Sequence, residues 1–99
     1  MNLSDRNIEE IAVLCRKHKV CRLYVFGSVL TNRFSDRSDV DFVVVFDKAS
    51  VDDWFNNYFD FKYALESLLG RDVDLVEDQT IKNPYFRKNV DATKQLIYG

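Results

Sequence analysis

The chain has 99 residues, which is enough for one domain spanning 1–99 with a modest core and no need of staples. Its net charge of -2 argues against a broad electrostatic grip on nucleic acid, so no direct nucleic-acid binding is expected. No apolar run approaches membrane-spanning length and the N-terminus lacks the apolar core of a signal peptide. A soluble, cytoplasmic protein is expected.

Ser4 can cap a first helix on which Ile8, Ile11, Ala12 and Cys15 recur at helical spacing. Acidic residues open this helix and Arg16, Lys17 and His18 close it, matching the helix dipole. Helix-end chemistry accounts for His18, the only histidine, more simply than catalysis does. Cys15 and Cys21 are too few for a disulfide framework or a zinc site, and both read as small core residues in a reducing cytosol.

A strand follows over Val20–Phe26, broken by Gly27. The polar stretch 28–38 has room for one short helix. Residues 40–46 are apolar at nearly every position, as a central strand covered on both faces requires. Ser50 and Asp53 form a capping-box pattern before a long helix, which Gly70 suits as terminator. On that helix Trp54, Tyr58, Phe61, Leu65 and Leu68 form the stripe expected to face the sheet. Phe55, Phe59 and Tyr63 form a second stripe, which either packs on the last helix or stays exposed for a partner. A short strand at 73–76 and a closing helix opened by Asn83-Pro84 complete the order α-β-α-β-α-β-α.

Within this order the chemistry gathers at one place. Asp39 and Asp41 are two apart and leave the same face of a strand. Asp74 also lies near the start of its strand, and the intervening helix is the crossover a parallel pair needs. Parallel pairing would bring Asp39, Asp41 and Asp74 together, and their mutual repulsion calls for a divalent cation. Hard oxygen ligands without His or Cys point to Mg²⁺ or Mn²⁺. Asp72 shares the parity of Asp74 and is the fallback third ligand, although a solvated loop position suits it better.

Gly27 and Ser28 end the first strand, and an antiparallel second strand would set them beside Asp39. Glycine lets a phosphate approach the backbone, while a hydroxyl and helix-opening amides can hold its oxygens. A phosphate cradle next to a carboxylate cluster suits phosphoryl or nucleotidyl transfer with metals.

The spacing Gly27-Ser28, ten residues, Asp39-x-Asp41, then Asp74 between apolar neighbours, resembles the DNA polymerase beta nucleotidyltransferase superfamily. The size resembles its minimal nucleotidyltransferases. The resemblance implies an α/β (α+β) nucleotidyltransferase fold, with a small three-stranded mixed sheet flanked by helices. It implies Asp39, Asp41 and Asp74 as catalytic metal ligands and Gly27 and Ser28 as nucleotide-binding residues. Val29, Leu30, Thr31 and Asn32 stand where many relatives carry basic residues and a glycine, so Arg33 and Arg37 become the candidates for phosphate charge. The implied reaction moves AMP from ATP, or another nucleotide from its triphosphate, to a hydroxyl. In this family the acceptor is often a tyrosine of a helical HEPN toxin, and the transferase is its antitoxin. Two alternatives stay open: a non-catalytic antitoxin that masks its partner, and a transferase acting on RNA or a small molecule. A homo-oligomer is also left open.

Overall fold

The computed structural model describes residues 5–26 and 40–99. Three helices, α1 (Asp5–Lys17), α2 (Trp54–Leu69) and α3 (Pro84–Thr93), surround four strands: β1 (Val20–Phe26), β2 (Val40–Phe46), β3 (Val73–Glu77) and β4 (Gln95–Tyr98). The sheet order is β3-β2-β1-β4, with β2 parallel to β3 and the other neighbours antiparallel. This is the expected α+β arrangement with a mixed sheet.

One strand more is present than the sequence suggests. The closing helix stops at Thr93, and Lys94 turns the backbone extended so that residues 95–98 pair with β1. Local propensity loses here to tertiary demand. Without β4, the outer edge of β1 would have unpaired backbone groups, and Ile97 and Tyr98 would lose their packing on the core.

Helices α1 and α2 cover one sheet face. Val40, Phe42 and Val44 of β2, Leu23 of β1, Ile11 of α1 and Phe61 and Leu65 of α2 are fully buried there. Of the predicted sheet-facing stripe, Phe61 and Leu65 form the centre and Tyr58 and Leu68 its margin, while Trp54 lies at the rim, 38% exposed. The opposite face carries a smaller cluster of Phe26, Val43, Ile81 and Val90, roofed by α3. Strand β2 is thus buried on both sides, which explains why every one of its residues except Asp41 is apolar.

Helix starts and stops follow from specific side chains. Asp53, rather than Ser50, caps α2: its carboxylate accepts from the backbone N–H of Asn56 at 3.2 Å. Ser50 lies in the turn before it, donating to Asp47 Oδ2 at 2.7 Å. Gly70 ends α2 in the left-handed region at φ 66°, where a side chain would be strained. Asn83 caps α3 through the N–H groups of Tyr85 and Phe86, with Pro84 in the first turn.

The two cysteines differ. Cys15 is buried against the core as expected, but Cys21 is exposed. The β1–β2 register is irregular between Val20 and Arg22, and this turns Cys21 out of the alternation that would have buried it. His18 sits at the end of α1 with Nδ1 2.8 Å from the Leu14 carbonyl oxygen and its ring against Phe61.

Candidate active site

Register decides which side chains meet. In the parallel β2–β3 pair, Asp41 stands opposite Asp74, and Val43 opposite Val76. In the antiparallel β1–β2 pair, Phe26 stands opposite Asp41, and Tyr24 opposite Val43. Neighbouring strands lie about 4.8 Å apart, so Asp41 and Asp74 are adjacent carboxylates on one face of the sheet. That face is the one under α3, and the pair sits at the end where β2 and β3 begin. Asp41 is half-buried and Asp74 exposed, so water-borne ligands reach the pair.

The backbone closes this end of the sheet as well. The N–H of Val40 donates to the Asp72 carbonyl at 3.1 Å, extending the ladder one step beyond the carboxylates. The Asp72 side chain is exposed. The charge of Asp74 is felt at the outer edge of β3: the Tyr58 phenol is pushed up by burial first, then by Asp74 and Glu77.

Asp41 and Asp74 are therefore brought together as the topology required. Asp39, Gly27, Ser28, Arg33 and Arg37 lie outside the described residues, as does the expected short helix in 28–38. Covalently, Gly27 follows Phe26 and Asp39 precedes Val40, and these two described neighbours flank the Asp41 register position. Among the described residues no cluster of three or more metal-ligating side chains occurs. The Asp41–Asp74 pair offers the hard carboxylate oxygens that Mg²⁺ or Mn²⁺ takes.

Along the same face α3 runs beside β1. Phe86 meets Phe26 edge to face with ring centroids 5.8 Å apart, Val90 packs in the cluster with Val43, and Lys94 Nζ lies 4.5 Å over the Tyr24 ring. Its first turn therefore stands at the carboxylate end and its last turn at the far end. There, Arg22, Tyr24, Val45, Asp78, Arg87, Asp91 and Lys94 line a polar cleft of about 410 Å³. Arg87 donates to Asp78 Oδ1 at 2.8 Å and to the Asp78 carbonyl at 2.5 Å, clamping α3 to the turn after β3. Asp91 is held below the usual carboxylate range, first by its hydrogen bond from Lys94 and further by Arg87. Sequence reasoning missed this clamp; Arg87 and Asp91 at helical spacing were its visible half.

The fold is that of a nucleotidyltransferase. The polymerase beta nucleotidyltransferase family model matches residues 9–99, and the chain belongs to that family. It is 33% identical over 101 residues to the "Putative protein adenylyltransferase MJ1379" of Methanocaldococcus jannaschii, covering 94% of this chain and 98% of that one. A solved "putative minimal nucleotidyltransferase" superposes with TM-score 0.74 and 31% identity, over 91% of this chain and 88% of that one. A tri-AMPylated HEPN toxin of Shewanella oneidensis in complex with its MNT antitoxin contains a chain similar to this one. That match has TM-score 0.66 and 25% identity, over 95% of this chain and 71% of that one. The chain is thus similar over nearly all of its length to a minimal nucleotidyltransferase and to an MNT antitoxin.

Among the described residues no helix is long and apolar enough to cross a membrane.

Proposed function

We propose that this chain transfers AMP from ATP to a hydroxyl of a HEPN-type partner protein and thereby acts as an antitoxin in the cytoplasm. The reading treats residues 1–99 as one nucleotidyltransferase domain. It rests on one observation above all: Asp41 and Asp74 share a register position at the sheet end where Phe26 leads into Gly27-Ser28. The adenylyltransferase name of a relative and the AMPylated toxin bound to a neighbour support AMP as the group moved.

Asp39, Asp41 and Asp74 would hold Mg²⁺ or Mn²⁺. When bound, the ion supplies charge neutralisation at the phosphates and activation of the attacking hydroxyl. The protein's own residues do the rest. Gly27 and Ser28 would receive the triphosphate oxygens, with Arg33 and Arg37 as the nearby positive charges. Asp41, half-buried and paired in register with Phe26 on one side and Asp74 on the other, has its backbone position fixed by the sheet before substrate arrives.

The reading is tested by incubating the full chain with Mg²⁺, α-labelled ATP and a HEPN-type protein. Transfer of label to the partner by wild type but not by Asp41→Asn supports it. Equal label from both proteins would exclude the Asp41 site.

A further inference from the structure

Five tyrosines occur in the chain, and their surroundings differ sharply. Tyr24 lies under Lys94. Tyr58 spends its hydroxyl on the Leu75 carbonyl. Tyr98 is half-buried against the core, and Tyr63 is exposed on α2, across the sheet from the carboxylates. Tyr85 alone is both open to solvent, at 84%, and on the helix that roofs the carboxylate face.

Its place on that helix is fixed. The Asn83 side chain accepts from the N–H groups of Tyr85 and Phe86 at 2.9 and 3.2 Å, setting the first turn. Phe86 packs its ring on Phe26, and Phe26 is the register partner of Asp41. One residue along from that contact, Tyr85 projects a phenol that the packing leaves uncovered. Burying Tyr85 would be the ordinary use of so large an aromatic residue; here nothing in the core requires it.

We propose that Tyr85 is an acceptor hydroxyl for the chain's own AMP transfer, so that the protein adenylylates itself. The inference rests on the nucleotidyltransferase reading above. Tyr85 Oη forms a bond to the α-phosphorus of a nucleoside triphosphate, and the bond from that phosphorus to the bridging oxygen breaks. Pyrophosphate leaves with the bond's electron pair, the phenol proton passes to water, and the product is a tyrosyl phosphodiester of AMP. No oxidant or further reactant is needed.

The test uses the full chain with Mg²⁺ and α-labelled ATP, followed by intact-mass measurement and peptide mapping. A parallel calorimetric titration uses a non-hydrolysable ATP analogue. Wild type should gain the mass of one AMP on the peptide that contains Tyr85. Tyr85→Phe should lose that label while still binding the analogue, and Tyr63→Phe should keep both. Asp41→Asn should label at least about a hundredfold more slowly. Analogue binding without AMP on Tyr85 overturns this inference and leaves the nucleotide site standing. Failure of wild type to bind the analogue overturns the nucleotide reading and the inference together.

Discussion

Phe26 and Phe86 meet edge to face, and through that contact α3 is seated over the end of the sheet that carries Asp41. Phe26 is buried while Phe86 remains 38% exposed, so the contact is only partly shielded. An aromatic pair contributes about 0.5–1.5 kcal/mol beyond its area, and truncating a fully buried Phe to Ala costs about 3–5. Phe86→Ala should destabilise the protein by about 1–2 kcal/mol, below the value for a core Phe. Urea unfolding at fixed slope measures this; a loss under about 0.5 kcal/mol, the range of an ordinary surface change, would mean the contact does not seat α3.

The outer edge of β3 is closed by side chains. Glu66 accepts from the Val73 N–H at 2.9 Å, Tyr58 donates to the Leu75 carbonyl, and Thr80 donates to the Glu77 carbonyl at 2.8 Å. An open strand edge invites pairing with other chains. Tyr58→Phe should cost about 0.5–1.5 kcal/mol and increase light scattering on heating, because one carbonyl of that edge becomes available. Unchanged scattering and melting would show that the phenol contributes nothing to edge protection.

Burial pushes the Cys15 thiol up to about 12, whereas Cys21 lies at the surface. The thiolate is the reactive form, so at pH 8 the native protein should titrate one thiol rapidly with a disulfide reagent. The second should react only on unfolding. Below the ordinary thiol range both states keep the Cys15 proton; above it only the unfolded chain loses it, so stability falls as pH rises towards 12. Two fast thiols in native protein would contradict the placement of Cys15.

Phe55 and Tyr63 are 63% and 58% exposed and flank the half-buried Phe59, whose ring lies 4.8 and 6.0 Å from theirs. Because α3 lies across the sheet, the stripe is not packed on the last helix. The double change Phe55→Ala and Tyr63→Ala should therefore alter stability by no more than about 1 kcal/mol. If the stripe anchors the HEPN-type partner proposed above, pull-down should weaken by about 2 kcal/mol or more. Early melting of this variant would return the stripe to the core.

Much of this was legible from particular residues. The apolar run 40–46 announced a strand buried on both faces, and parity plus the crossover rule placed Asp41 beside Asp74. Proline and asparagine marked the start of α3, and Gly70 the end of α2. What was not legible depended on distant partners. Residues 95–98 become a strand only because β1 offers an edge, and Cys21 turns outward only because the β1–β2 register slips next to it. The clamp from Arg87 to Asp78 joins residues nine apart in sequence across a turn whose shape no local pattern encodes. For the site, the carboxylate pair followed from spacing, while the seat of α3 over it followed from the packing of Phe86 on Phe26.

In the function proposed above, the adjacent carboxylates of Asp41 and Asp74 hold a divalent cation together with a nucleoside triphosphate. Calorimetry with Mg²⁺ and a non-hydrolysable ATP analogue, on wild type and Asp41→Asn, tests it most directly. Mg²⁺ prefers to share its ligation between carboxylates and phosphates, so wild type should bind the analogue only when the cation is present. Asp41→Asn should weaken that binding by at least about tenfold in protein that still unfolds cooperatively. Equal, cation-independent binding by the two proteins would contradict the account.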